Sequence, residues 1–228
     1  MATSSTPQTS ATQKALSLPE ILREIFQWIY ADEGRLEEIL ERPHHYTFIT
    51  TRRNSLHSCA LTSRLWFAES IALLWKVPSR PDLEYLERDI EARLGPLDPP
   101  RRKFYANFIE EGTIETKGED DVPPQSDSVV LPSLRTLRLK ISLSNSVVPA
   151  IVAPQLKQLD IDPWIELYPE DWVGKNVMGK VLEQIPALFP TLEVVTFELC
   201  DIRRQDFERF KSRLPCVRIC EEDNIIMK

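Results

Sequence analysis

Four side chains of the types that hold metal ions lie near one another in this sequence: His44, His45, His57 and Cys59. Imidazole and thiolate are zinc ligands, but structural zinc sites take theirs as close-set pairs separated by a longer gap, which these four do not reproduce. The expectation is surface histidines and no metal. The paired carboxylates Asp120-Asp121 and Glu221-Glu222 stand in polar stretches that offer no apolar pocket or charged partner to tune them for acid–base work. With six glycines in the chain there is little material for a phosphate-cradling loop, and neither a Gly-x-Ser-x-Gly elbow nor a His-Glu-x-x-His helix occurs. No catalytic group and no cofactor is predicted.

Arg101-Arg102-Lys103 runs into Phe104-Tyr105, interleaving cation and aromatic as single-strand nucleic-acid grooves do. One such cluster in a chain of net charge -7 reads as a solvated helix start, and the acidic balance speaks against nucleic-acid or anionic-membrane partners. Cys216 and Cys220 invite a bridge. In a strand they would share a face about 13 Å apart, beyond disulfide reach. Four cysteines in no framework spacing fit a reducing compartment. No apolar run has the length of a membrane span and the first residues carry no signal core, so the expected location is cytoplasm or nucleus.

What remains is binding, and the elements that would position it are helices. Leu18, Ile21, Leu22, Ile25, Phe26 and Ile29 step by 3, 1, 3, 1 and 3, with Glu20, Arg23, Glu24 and Gln27 between them, which predicts an amphipathic helix. Ser17 with Glu20 fits a capping box, and Pro19 suits the first turn. Between Leu56 and Trp75 the apolar residues Leu61, Leu65, Trp66, Phe67, Ile71, Leu73, Leu74 and Trp75 crowd more than one side. A unit of this size cannot readily bury them all, so some are expected to face a neighbouring protein.

Leu18-Pro19-Glu20-Ile21-Leu22-x-x-Ile25-Phe26, then Cys59-Ala60-Leu61-x-x-Arg64-x-Trp66 and Leu73-Leu74-Trp75, resembles an F-box of the fungal kind. The resemblance implies a helical module that docks onto the Skp-type adaptor and through it a cullin, while the rest of the chain captures a target protein for ubiquitylation. The positions matching the motif are Leu18, Pro19, Ile21, Leu22, Ile25, Phe26, Leu61, Trp66, Leu74 and Trp75. The alternative is a non-catalytic repeat scaffold that binds a partner without delivering it. An insertion at residues 31–55, with a helix over 32–41 and a loop over 43–53, separates the motif halves.

The expected organisation is a disordered tail over 1–15, the helical module over 16–78, a helical connector over 79–118, an acidic loop over 119–130 and a repeat domain over 131–228. The connector's predicted helices are 82–94 and 102–111, the second with Phe104, Phe108 and Ile109 inward, followed by a short strand over 113–116. From Leu131 a pattern recurs: Pro132-x-Leu134-x-x-Leu137-x-Leu139, Pro154-x-Leu156-x-x-Leu159-x-Ile161, Pro190-x-Leu192-x-x-Val195-x-Phe197, and a weaker Leu214-x-x-Val217-x-Ile219. The pattern resembles leucine-rich repeats, implying short parallel strands with helices over 176–189 and 203–214. The fold class is α+β. Candidate target-binding residues are Trp164, Tyr168 and Trp172 in the longest interval, and Arg138 and Lys140 beside the first repeat strand, in an outward row with Asp160, Asp162, Glu198 and Asp201.

Overall fold

A computed structural model describes residues 11–40, 53–77, 89–118, 128–142, 146–163, 177–197, 201–221 and 226–227. The chain is mixed helix and strand, divided into two compact units: Met1–Trp75 with Pro81–Tyr85, and Lys76–Arg80 with Leu86–Lys228.

The first unit is helical: α1 (Ala11–Ala15), α2 (Pro19–Leu40), α3 (Arg53–Ala60) and α4 (Arg64–Lys76). Two expectations change at its start. Residues 11–15 of the predicted tail form a helical turn with no buried side chain. Ser17 donates its hydroxyl back to the Lys14 carbonyl at 2.7 Å, so it closes α1 where a cap on α2 was expected. Pro19 does open α2. That helix continues unbroken to Leu40, so the separate helix predicted over 32–41 is its extension. The lone Gly34 costs the helix only about 1 kcal/mol relative to alanine, too little to end it. Most of the predicted 43–53 loop lies outside the described residues.

The apolar crowding between Leu56 and Trp75 is resolved by a break. The chain turns at Leu61–Ser63, and α3 and α4 each bury a different part of it. Ser63 caps α4, its hydroxyl accepting the Trp66 N–H at 3.2 Å. Leu22, Phe26 and Leu56 form the core, with Leu16, Ile29, Tyr30, Cys59, Leu65, Trp66, Leu73 and Leu74 packed partly against it.

The second unit begins with α5 (Ile90–Leu94) and α6 (Pro99–Ala106) and continues with β1 (Glu111–Glu115), β2 (Val129–Val130), β3 (Thr136–Ile141), β4 (Ile151–Val152) and β5 (Gln158–Pro163). It ends with α7 (Val177–Leu188), β6 (Val194–Phe197), β7 (Asp201–Ile202), α8 (Arg204–Arg213), β8 (Arg218–Glu221) and β9 (Ile226–Met227). Of the helix predicted over 82–94, residues 89–94 are described: Asp89 forms an isolated bridge with Thr113 instead, and 90–94 are helical. Gly95 stops it, since a Cβ there would lie 2.7 Å from the Glu91 carbonyl oxygen. The next helix starts earlier than expected because Asp98 accepts the Arg101 N–H at 3.0 Å, with Pro99 at the first helical position. It also ends earlier, at Ala106, which leaves Phe104 exposed where an inward position was predicted.

Five strands form one parallel sheet in the order β1-β3-β5-β6-β8, and two short parallel pairs, β2 with β4 and β7 with β9, lie beside it. The same apolar positions recur from one parallel strand to the next. Leu137 aligns with Leu159, Val195 and Ile219, and Leu139 with Ile161 and Phe197. On the covered face, α7 buries Met178, Val181, Leu182 and Ile185, and α8 sets Phe207 and Phe210 edge-on to Phe197 at 5.8 and 6.1 Å.

Three expectations are corrected here. The sheet starts at Glu111, with Gly112 opposite Leu137 and Ile114 opposite Leu139, so residues 89–118 belong to the sheet unit and are no separate connector. Ala106 and Ile109, both buried, hold the places that Leu131 and Leu134 hold one coil later. In the fourth repeat Ile219, not Val217, stands opposite Val195. Val217 closes the preceding turn, its N–H on the Leu214 carbonyl at 3.1 Å, as Leu134 does with Leu131 and Leu156 with Ala153. Lastly, residues 119–127 of the acidic loop lie outside the described residues, while Val129 and Val130 of the same stretch form β2.

Candidate docking surface

α2 turns about 100° per residue, so the six apolar positions read from its rhythm cannot all face one way. They divide into two neighbouring stripes. Leu22 and Phe26 are fully buried, with Ile29 and Tyr30 beside them. Leu18, Ile21 and Ile25 are only partly covered, at 48%, 38% and 37% exposure. Trp28 continues this outer stripe at 76%, and Leu61, in the turn after α3, is 74% exposed. Single exposed apolar residues are ordinary on a protein surface, but four at spacings of 3, 4 and 3 along one helix are an aligned patch.

Structural side chains and free ones are therefore separable. Phe26 meets Trp66 edge-on, ring centroids 5.5 Å apart, and the Trp66 indole N–H donates to the Leu16 carbonyl at 3.4 Å. Trp66 is a strut between α2, α4 and the chain preceding α2. Leu74 packs on the core and Trp75 is half-buried. Ser70, fully buried, donates to the Trp66 carbonyl at 2.7 Å, which satisfies its hydroxyl. Arg23 reaches from α2 to Glu69 on α4 at 2.9 Å. Of the ten motif positions, Leu18, Ile21, Ile25 and Leu61 face solvent, Leu22 and Phe26 are core, and Pro19, Trp66, Leu74 and Trp75 are half-buried.

Trp28 was missed because the sequence reading followed the buried rhythm, which passes from Phe26 to Ile29. Its signal was available: it lies three residues after Ile25 and seven after Ile21.

In the sheet unit, Arg138 and Lys140 do lie on the uncovered face, but their neighbours are carboxylates. In register they stand opposite Asp160 and Asp162, and Arg138 donates to Asp162 at 3.0 Å. Cross-strand ion pairing is their visible role. Lys157 and Glu193, 2.6 Å apart, make a similar pair between the turns that precede β5 and β6. Trp164, Tyr168 and Trp172 lie outside the described residues, as do Glu198, His44 and His45. His57 is exposed on α3, and Cys59 is half-buried. Among the described residues no cluster of His, Cys, Asp or Glu could hold a metal ion, and no helix is long and apolar enough to cross a membrane. Cys216 and Cys220 are free thiols, Cys216 in the turn before β8 and not within the strand.

The chain is an α+β protein with an apolar stripe partly exposed along α2. No protein-family model matches the chain, and no match was found among curated proteins or solved structures.

Proposed function

We propose that this chain is the substrate-recognition subunit of a Skp-cullin-F-box type ubiquitin ligase, acting in the cytoplasm or nucleus. The helical unit would seat on the Skp-type adaptor and the sheet unit, a short leucine-rich-repeat-like solenoid, would hold the target protein. The observation that carries this reading is the division of the motif itself. Leu18, Ile21, Ile25 and Leu61 are left partly exposed while Leu22 and Phe26 of the same helix close the core. Burying what Leu18, Ile21 and Ile25 still expose is worth on the order of 1 kcal/mol each, and Leu61, at 74%, roughly twice that, which gives the adaptor a reason to bind. The stacking of β3 on β5 in one register along their whole length supports the solenoid half of the reading.

The test is co-purification. The full chain should bring down the Skp-type adaptor and a cullin, and a Leu18→Asp, Ile25→Asp variant should lose both while its circular dichroism stays unchanged. A folded variant that still retains the adaptor overturns the proposal.

A further inference from the structure

We infer that Trp28 is the specificity anchor of this surface, and that it seats in an apolar slot on a protein partner whose rim presents lysine or arginine to Glu20 and Glu24. The inference rests on the docking role proposed above and says which residue decides the partner. Trp28 has more of its surface in solvent than any other large apolar residue described, though it sits on a helix whose inner stripe is fully enclosed. Together with Ile21, Ile25, Ile29, Glu20 and Glu24 it walls an open concavity of about 500 Å³ on α2. A broad, rigid indole beside two branched aliphatics is the composition of an interface hot spot.

Charge says what the partner must carry. Glu20 and Glu24, one turn apart, border the stripe on its solvent side. The cation that lies between them in sequence, Arg23, is drawn away to Glu69 on α4 at 2.9 Å. Among the described residues the edge of the patch is therefore anionic. A partner with an acidic rim would meet like charge, whereas one with a basic rim gains both steering and register. The same edge disfavours an anionic lipid surface.

The experiment titrates the full chain against purified Skp-type adaptor by calorimetry, at low salt and at 0.5 M NaCl, using wild type, Trp28→Ala, Trp28→Phe and the double variant Glu20→Gln, Glu24→Gln. The expected results are a Kd raised about tenfold or more by Trp28→Ala, with partial rescue by Trp28→Phe. The Gln pair should weaken binding at low salt and converge on wild type at high salt, where ionic screening removes the contribution. A Trp28→Ala Kd within twofold of wild type overturns the anchor and leaves the docking role standing, and a Gln pair that binds more tightly overturns the basic rim. A wild-type chain that does not bind the adaptor overturns the docking role and this inference's partner together. Two further readouts guard against other occupants. Trp28-dependent dimerisation in sedimentation, or Trp28-dependent binding to phosphatidylcholine vesicles, would assign the surface to a second copy or to lipid and overturn the inference.

Discussion

The two units treat apolar side chains in opposite ways. In the sheet unit Leu137, Leu139, Leu159, Ile161, Val195 and Phe197 are fully buried, and on β3 and β5 the alternate positions carry charges that face one another across the strands. In the helical unit α2 offers two apolar stripes to a core that accepts one. The sheet unit leaves Phe104, Val130 and Val152 exposed away from its central strands, whereas the helical unit leaves a row of four apolar side chains partly exposed along α2. A binding function is thus better sought on α2 than on the charged face of β3 and β5.

The sharpest way to break this comparison is to open the sheet unit's core. Phe197 is enclosed between β5, β8 and the rings of Phe207 and Phe210. Phe197→Ala should cost about 3–5 kcal/mol, the range for deleting a buried ring. Amide hydrogen exchange resolved by segment would show protection falling across β5, β6 and β8 while α2 and α4 keep theirs. Loss of protection throughout both units would mean that they do not fold separately. In the helical unit, Leu22→Ala removes a fully buried side chain and should cost about 2–5 kcal/mol. The expected shift is in the exchange of α2, α3 and α4 alone.

Next in size is a polar clamp. Gln184 on α7 accepts the Val148 N–H at 3.1 Å and donates to the Ser146 carbonyl at 2.7 Å, fixing a segment whose Ser146 and Val148 are both buried. Gln184→Ala would leave two buried backbone groups unsatisfied, at about 1–3 kcal/mol each at most, and should speed exchange of the Val148 amide before any other. An unchanged Val148 amide would show that the clamp is not what holds the segment.

How much of this was legible follows the same division. The repeat strands were readable because Pro-x-Leu-x-x-Leu-x-Leu survives in three coils, and each apolar position has one inward place to go. The first coil was not, because Gly112 stands where Leu137 stands and Asn107 where Pro132 does, so the pattern vanishes while the backbone register persists. The fourth was misaligned because Leu214-Pro215-Cys216-Val217 is a turn that imitates the strand spacing. In α2 the period announced a helix and its start at Pro19. It could not say which apolar residues the core would accept, because that depends on how much room α3 and α4 leave. Trp28 was lost to that ambiguity, whereas for Arg138 and Lys140 the aligned repeats already set Asp160 and Asp162 opposite, and the structure adds that Arg138 is ion-paired to Asp162.

The smallest expected effect bears most directly on the contrast between the units. Ile25 and Leu22 are three residues apart on one helix, both branched aliphatics, yet Ile25 keeps 37% of its surface exposed and Leu22 none. If the outer stripe contributes nothing to the fold, Ile25→Gln should change unfolding stability by no more than about 0.5 kcal/mol, as surface substitutions do. Glutamine keeps the length and helix propensity, so neither a cavity nor a propensity loss confuses the reading. Urea unfolding followed by the exchange of α2 amides measures it. A cost approaching that of Leu22→Ala would mean that Ile25 is held by its own chain. The stripe would then be part of the core's edge, and the exposure of its neighbours would no longer point outward to a partner. A neutral result shows that the fold does not depend on the side chain, which leaves it available to an interface.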